Sequence, residues 1–65
     1  MNAQEDFITP AEFAAIARVR PGTPAQWRHR GVGPEWFKLG SGRTSRVLYR
    51  RSDVLAWLEA HKVPA

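Results

Sequence analysis

The sequence contains no cysteine and only two histidines, His29 and His61, which lie far apart in the chain. The absence of cysteine excludes disulfide bonds and thiolate metal sites, and two separated histidines are typical of solvent-facing polar residues. No apolar run approaches the roughly 18 residues of a membrane span, and residues 1–6 do not resemble a signal peptide. We therefore expect a cytoplasmic protein with no membrane partner, no small-molecule ligand, no metal and no other cofactor.

The chain is also short. Its 65 residues are near the lower limit of length at which a chain folds around a single core. It lacks paired carboxylates, a nucleophile next to a base, and a glycine-rich phosphate loop after a strand. We predict a domain without enzymatic activity at residues 7–62. A disordered N-terminus (1–6) and a short tail (63–65) are expected to flank it.

Acidic residues are scarce in the middle of the chain. The segment from Arg18 to Arg51 contains nine basic residues and one acidic residue, Glu35, and therefore carries a charge of +8. The whole chain carries a charge of +4. Eight of the nine are arginines, whose planar guanidinium groups suit phosphate. The pattern favours nucleic acid as the partner, although an ordinary basic surface has the same charge. An anionic membrane is disfavoured because no long basic amphipathic helix is present.

The stretch Ile8-Thr9-Pro10-Ala11-Glu12-Phe13 predicts the start of a first helix. Thr9 suits the N-cap and Glu12 completes a capping box, with proline at the first helical position between them. The apolar residues at the two ends of the stretch stand at the positions of a hydrophobic staple. We expect the helix to end near Ala17 or Arg18.

A tight turn at Arg20-Pro21-Gly22 then leads into a predicted second helix of about two turns. Thr23 is the predicted N-cap and Pro24 the first helical residue. A start at Pro21 is the alternative. Gly31 suits the left-handed residue that ends a helix.

This second helix has two different faces at ~100° per residue. Pro24, Trp27 and Gly31 fall on the side suited to packing. The opposite side carries Gly22, Ala25, Gln26 and His29, flanked by Thr23 and Arg30. The pattern predicts a DNA recognition helix with candidate contacts at Thr23, Gln26, Arg28, His29 and Arg30. Gln26 suits adenine, Arg30 suits guanine or phosphate, and Thr23 and Arg28 suit phosphates.

Aromatic and apolar residues at Trp36–Leu39 and Arg46–Tyr49 predict a β-hairpin around a turn-rich tip. The hairpin carries the candidate wing contacts Lys38, Ser41, Arg43, Thr44 and Arg46. Arg18, Arg20, Arg50 and Arg51 are further candidates for phosphate contacts. Ser52 is the predicted N-cap of a third helix, in which apolar residues recur at intervals of three and four.

The expected core joins one face of each helix to the hairpin. It consists of Ile8, Phe13, Ile16, Val19, Trp27, Phe37, Leu39, Leu48, Val54, Trp57 and Leu58. The tryptophans at 27 and 57 are alternatively stacking platforms for bases, but their apolar helix faces favour core packing. The predicted fold is an α+β winged helix-turn-helix with three short helices and a two-stranded wing, in the order α-α-β-β-α.

Four stretches resemble the excisionase and AlpA-like family, which is related to MerR. They are Ile8–Glu12, Trp27–Pro34, Phe37–Gly40 and Tyr49–Leu58, of which the last is the most specific. The resemblance implies a protein that binds DNA without catalysis, with its second helix in the major groove. The wing then touches the adjacent minor groove or the backbone.

Many members of that family are recombination directionality factors, which bend attachment-site DNA so that an integrase excises a phage or integrative element. Others regulate transcription. The resemblance therefore implies sequence-specific binding to duplex DNA and an integrase as a further partner. This chain departs from the family pattern at Arg20 and Pro24, and its hairpin is longer. The added residues either extend along a groove or form a tolerated surface insertion.

A protein-interaction module is the alternative from another class, in which the acidic N-terminus or the third helix binds an integrase or a polymerase subunit. Detectable DNA binding in a gel-shift assay distinguishes the two classes. One copy of so small a module buries little surface on DNA. We therefore expect cooperative head-to-tail association of several copies on DNA.

Overall fold

The structure is a computed structural model that describes residues 6–40 and 46–61. The elements are β1 (Phe7–Ile8), α1 (Pro10–Ala17), α2 (Thr23–Arg30), β2 (Trp36–Leu39), β3 (Arg46–Arg50) and α3 (Arg51–Ala60). Three helices and a small antiparallel sheet in this order confirm the predicted α+β winged helix-turn-helix. Over the described ranges, no helix has the length and apolar character needed to cross a membrane.

The first helix begins with the predicted capping box. The Thr9 hydroxyl accepts a hydrogen bond from the Glu12 amide at 3.1 Å, and the Glu12 carboxylate accepts one from the Thr9 amide at 2.7 Å. These reciprocal bonds satisfy two donors that a helix start otherwise leaves unpaired. Ile8 and Phe13, the predicted staple pair, both belong to the buried core.

The end of α1 has an arginine in a conformation that usually requires glycine. Arg18 has φ of 61° in the left-handed region. Its amide donates to the Ala15 carbonyl at 3.2 Å, and the next amide, of Val19, donates to the Ala14 carbonyl at 3.0 Å. This pair of bonds is a Schellman motif, which ends the helix where the sequence predicts.

The second helix begins one residue earlier than predicted, because Gly22 rather than Thr23 is the N-cap. The Thr23 amide donates to the Arg20 carbonyl at 2.9 Å, and this turn places Gly22 in helical backbone geometry. Thr23 is therefore the first helical residue, and the N-cap Gly22 provides no side-chain capping bond. The alternative start at Pro21 is wrong, since this proline lies in the turn.

The third helix also begins earlier than predicted, at Arg51, and its N-cap is Arg50 rather than Ser52. The Arg51 amide donates to the Asp6 carbonyl at 2.7 Å, and its guanidinium pairs with the Asp6 carboxylate at 2.7 Å. The pairing of β3 with β1 thus continues without a break into the first residue of α3. Of the residues predicted to be disordered at the N-terminus, 1–5 lie outside the described residues, whereas Asp6 makes these contacts.

The sheet has three antiparallel strands in the order β1-β3-β2, not the two that the sequence predicts. Ile8 pairs with Tyr49 and Phe7 with Arg50, so β1 forms the second edge of the sheet. A strand of two residues has no alternating pattern from which it could be predicted. It forms because it pairs with the edge of β3 and because the Ile8 side chain packs in the core.

The core lies between the three helices and one face of the sheet. The Phe13 ring is central: its centroid lies 4.7 Å from that of Tyr49, 5.6 Å from Trp27 and 6.0 Å from Trp57. Tyr49 is missing from the predicted core, yet only 1% of its surface is exposed. The prediction of Leu39 as a core residue is wrong, because it is 49% exposed near the hairpin tip.

The other predicted core residues are fully or partly buried. Ile8, Phe13 and Val54 are buried, and Ile16, Trp27, Trp57 and Leu58 pack against them. The two helix tryptophans are therefore core residues, as the apolar faces predict, and not base-stacking platforms. Val19, Phe37 and Leu48 are half-buried but do not belong to this core cluster. The prediction of Phe37 and Leu48 as core residues is wrong, because strand alternation places their side chains on the outer face of the sheet, opposite Tyr49.

Candidate nucleic-acid interface

The two faces of α2 differ in the way that the sequence predicts. Pro24 is buried, and the Trp27 ring lies 5.6 Å from Phe13 and 5.1 Å from Trp57. The opposite face is exposed and forms a shallow depression of about 380 Å³, lined by Ala25, Gln26, His29 and Arg30. A short helix of eight residues is not stable alone in water. The packing of its buried face therefore holds α2 on the domain and leaves the opposite face exposed.

The exit from α2 depends on two glycines. Gly31 has φ of 76° and Gly33 has φ of 101°. The amides of Gly31 and Val32 donate to the carbonyls of Arg28 and Trp27 at 3.1 and 2.9 Å. This Schellman motif turns the chain sharply away from the helix axis. The hairpin consequently starts beside α2, after the connection 31–35.

A short connection also joins α1 to α2, and the pair is followed by a β-hairpin. Comparison with protein families matches residues 7–62 to the helix-turn-helix domain family. The chain belongs to the helix-turn-helix domain family. Comparisons with curated proteins and with solved structures gave no match.

Membership of the helix-turn-helix family assigns a partner class to this domain. Helix-turn-helix domains bind double-stranded DNA, and the second helix of the motif is the one that enters the major groove. In this chain α1 and α2 form the motif, so α2 occupies the position of the recognition helix, and we refer to it as the predicted recognition helix. Domains of this family are typically not enzymes.

The predicted recognition helix brings three of its five predicted contact residues together on the exposed face. Gln26, His29 and Arg30 are exposed there. Thr23 is half-buried at the first turn, and its amide is bonded to the preceding turn. Arg28 does not share this face, because its guanidinium is directed towards the sheet.

Arg28 contacts two aromatic residues of the hairpin. Its Nη1 donates a hydrogen bond to the Tyr49 hydroxyl at 2.9 Å. The guanidinium carbon lies 5.6 Å from the centroid of Trp36 and 6.0 Å from that of Tyr49. Neither partner stands among the predicted site residues. The usable signal is the tyrosine itself, since a tyrosine buried in a sheet requires a partner for its hydroxyl.

Of the predicted wing contacts, Lys38 and Arg46 are described and both are exposed. Lys38 pairs with Val47 and Arg46 pairs with Leu39. Because side chains alternate along a strand, Lys38 shares the sheet face of Trp36, whereas Arg46 lies on the other face. The predicted contacts at Ser41, Arg43 and Thr44 lie outside the described residues.

The four further arginine candidates fall into two groups. Arg18 and Arg20 are exposed around the turn of the motif. Arg50 is half-buried, with its guanidinium 5.1 Å from the Phe37 ring and 3.2 Å from the Asp53 carboxylate. Arg51 is exposed and pairs with Asp6. The first group is thus open to a phosphate. In the second group, Arg50 links β3 to α3, and Arg51 links α3 to the residue before β1.

The described residues offer no group of three or more histidine, aspartate or glutamate side chains that could hold a metal ion. The exposed predicted contacts Gln26, His29, Arg30 and Lys38 carry amide, imidazole, guanidinium and ammonium groups. These groups match the hydrogen-bonding edges of bases and the negative charge of phosphates.

Proposed function

We propose that this protein is an architectural DNA-binding protein that acts as an excisionase. It binds attachment-site DNA in a sequence-specific way and bends it. The bend allows an integrase to excise a phage or an integrative element rather than to insert it. In the bound state α2 lies in the major groove, and the hairpin contacts the neighbouring minor groove or the backbone.

The observation that carries the DNA-binding part of this proposal is the polarity of α2. Its inner face is fixed in the core through Pro24 and Trp27, whereas Gln26, His29 and Arg30 are exposed on the outer face. A major groove admits one helix, and its base edges are read by polar side chains such as arginine and glutamine. The anchored inner face leaves these three residues as the reading surface.

Each residue of the reading surface has a distinct role in the proposal. The Gln26 amide makes a bidentate contact to adenine, and Arg30 binds guanine or an adjacent phosphate. His29 lies between them and contacts a neighbouring base or phosphate. Thr23, at the helix N-terminus, and Arg18 and Arg20 of the preceding turn hold the phosphate backbone.

Two features support the excisionase role in particular. The stretch Tyr49–Leu58 and three shorter stretches resemble excisionases, and the helix-turn-helix match covers nearly the same part of the chain. The predicted recognition helix is also accompanied by a hairpin with basic residues at Lys38, Arg43 and Arg46. Simultaneous binding in two grooves favours a deformed duplex, because bending extends the contact surface.

The test starts by selecting binding sites from random duplex DNA with the purified protein. The selected site is then placed between attachment sites, and excision by a co-expressed integrase that acts on these attachment sites is measured. We expect excision to need both the protein and its site, and to be lost with Gln26→Ala. Binding that changes transcription of the integrase gene but not excision would identify a transcriptional regulator instead. Absence of any selected site would favour a protein-interaction module.

A further inference from the structure

We infer that Arg28 is a positioning residue, which fixes the predicted recognition helix relative to the hairpin rather than holding DNA. The sequence suggests a phosphate contact for Arg28, because it stands in the last turn of a basic helix. The contacts of its side chain within the domain indicate another role. This inference rests on the proposed DNA binding and adds the residue that aligns its two reading elements.

The guanidinium of Arg28 is directed towards the sheet and not towards solvent. Arg28 is half-buried, although its helix neighbours His29 and Arg30 are exposed. It donates a hydrogen bond to the Tyr49 hydroxyl at 2.9 Å and lies 5.6 Å from the Trp36 ring. A planar guanidinium can donate in its plane while its face covers an aromatic ring. Two kinds of contact thus hold one side chain in one orientation.

The acceptor of this hydrogen bond, the Tyr49 hydroxyl, belongs to a tightly packed residue. Tyr49 lies on the middle strand, is 1% exposed, and has its ring 4.7 Å from the ring of Phe13. Trp36 lies directly opposite Tyr49 on the edge strand. Arg28 therefore joins α2 to both strands that lead to the hairpin tip, through a tyrosine that cannot itself reach DNA.

Binding in two grooves at once places a geometric requirement on the domain. Two reading elements can contact adjacent grooves together only when the angle between them matches the duplex. A second contact on a rigid body has a high effective concentration, which falls when the connection between the two contacts loosens. Loss of the Arg28 link should therefore weaken specific binding without removing any phosphate contact.

The test compares Tyr49→Phe, Arg28→Lys and the double variant on the selected DNA site over a range of salt concentrations. Tyr49→Phe removes only a buried hydroxyl, and Arg28→Lys keeps the charge but loses the planar donor. We expect each single variant to bind about tenfold more weakly, one decade of Kd, with an unchanged salt slope. The double variant should bind no more weakly than either single variant, because the pair acts as one link.

Thr9→Ala is the matched control for stability. It removes the N-cap side chain of α1 and so destabilises the fold, and the hydroxyl that it removes is bonded to Glu12 within α1. All variants are compared at a temperature where each is folded. We expect the control to bind the selected site as the unchanged protein does.

A distance measurement gives an independent readout. Because the sequence has no cysteine, His29→Cys together with Lys38→Cys provides two unique positions for spin labels. In the free protein we expect a narrow distance distribution between them, which Tyr49→Phe broadens. An unchanged distribution in the Tyr49→Phe protein would overturn the inference.

Two results separate this inference from the proposed function. If the unchanged protein binds its site, Tyr49→Phe binds equally well and Arg28→Ala lowers the salt slope by about 0.9, then Arg28 holds a phosphate and the inference fails. If the unchanged protein selects no DNA site, the proposed function fails. The distance distributions then still decide whether Arg28 positions α2.

Discussion

Gln26 combines a donor and an acceptor in one exposed side chain on the predicted recognition helix, and adenine presents the matching pair in the major groove. We predict that Gln26→Ala costs ~1–3 kcal/mol on the selected site and little on random duplex DNA. Titrations of labelled duplexes of both kinds at one salt concentration measure the two losses. Equal losses would mean that Gln26 positions the protein and does not read sequence.

Arg18 has a left-handed backbone that is strained for any residue with a Cβ atom. Its φ is 61° and its side chain is exposed, so little packing is lost when the side chain is removed. We predict that Arg18→Gly raises the free energy of unfolding by about 0.5–1 kcal/mol. Urea unfolding followed by circular dichroism measures the change.

Gly31 provides the opposite substitution in the same conformation. Its φ is 76°, and a Cβ atom added there would meet nothing within 4 Å. Gly31→Ala should therefore lower the free energy of unfolding by about 1–2 kcal/mol through the backbone alone. If Arg18→Gly were also destabilising, the Arg18 side chain would have a stabilising contact that outweighs its strain.

At the scale of single elements, β1 contributes more than its two residues suggest. Ile8 is 1% exposed, and truncating a buried isoleucine to alanine costs about 2–5 kcal/mol. A core of this size supplies only ~3–5 kcal/mol in total. We predict that Ile8→Ala leaves much of the protein unfolded at 25 °C, as judged by amide dispersion in NMR spectra.

Phe7→Ala is the control within the same strand. Phe7 is 45% exposed and its ring lies 5.4 Å from Phe37 on the outer face of the sheet. Its loss should destabilise the fold less than the loss of Ile8. The reverse order would place the main contribution of β1 on the outer face of the sheet.

The hairpin is the second element whose role can be measured separately. We predict that replacing Arg43 and Arg46 together with alanine weakens binding and reduces the salt slope by at most about two. A narrow A·T-rich minor groove has the potential that attracts such side chains. Lys62→Ala, outside the basic segment 18–51, is the control for a general loss of charge. An unchanged slope in the double variant would place the hairpin away from DNA.

The parts of this fold that were predictable from sequence depend on residues close together in the chain. The Thr9–Glu12 capping box and the left-handed Gly31 follow from spacing and residue type alone. The errors at β1 and at the start of α3 have distant causes. Pairing between Asp6 and Arg51 moves the start of α3 ahead of Ser52, and the same pairing edge creates β1.

The same distinction applies to the candidate site. A helical projection of the sequence places Gln26, His29 and Arg30 together, so the exposed face of α2 was predictable. The bond between Arg28 and Tyr49 spans 21 residues and depends on the orientation of α2 above the sheet. The helical projection places Arg28 beside Pro24, away from His29 and Arg30, but no local pattern identifies Tyr49 as its partner.

For the whole molecule, the small reading surface limits what one copy can bind. Single modules of this size bury about 600–1,000 Å² on DNA. If five to seven basic residues touch phosphates, the salt slope is about −4.5 to −6, and much of the binding is non-specific at physiological salt. We predict weak binding to one isolated site and cooperative binding to adjacent sites, through head-to-tail contacts between copies.

Titration onto duplexes with one, two or three copies of the selected site tests this prediction. Affinity per site should rise with the number of adjacent sites, and sedimentation of the free protein should show a monomer. Inserting five base pairs between sites is the control, because half a helical turn places neighbours on opposite sides of the duplex. Tight binding to a single site, or a stable dimer without DNA, would contradict the prediction.

The most direct test of α2 as the reading element is an NMR titration of isotope-labelled protein with its selected duplex. We predict the largest amide shifts at Ala25, Gln26, His29 and Arg30, with intermolecular contacts from Gln26 or His29 to protons on major-groove base edges. The amides of the buried face should shift far less. Shifts confined to the hairpin or to α3, with no contact between α2 and the bases, would contradict the assignment of α2 as the recognition helix.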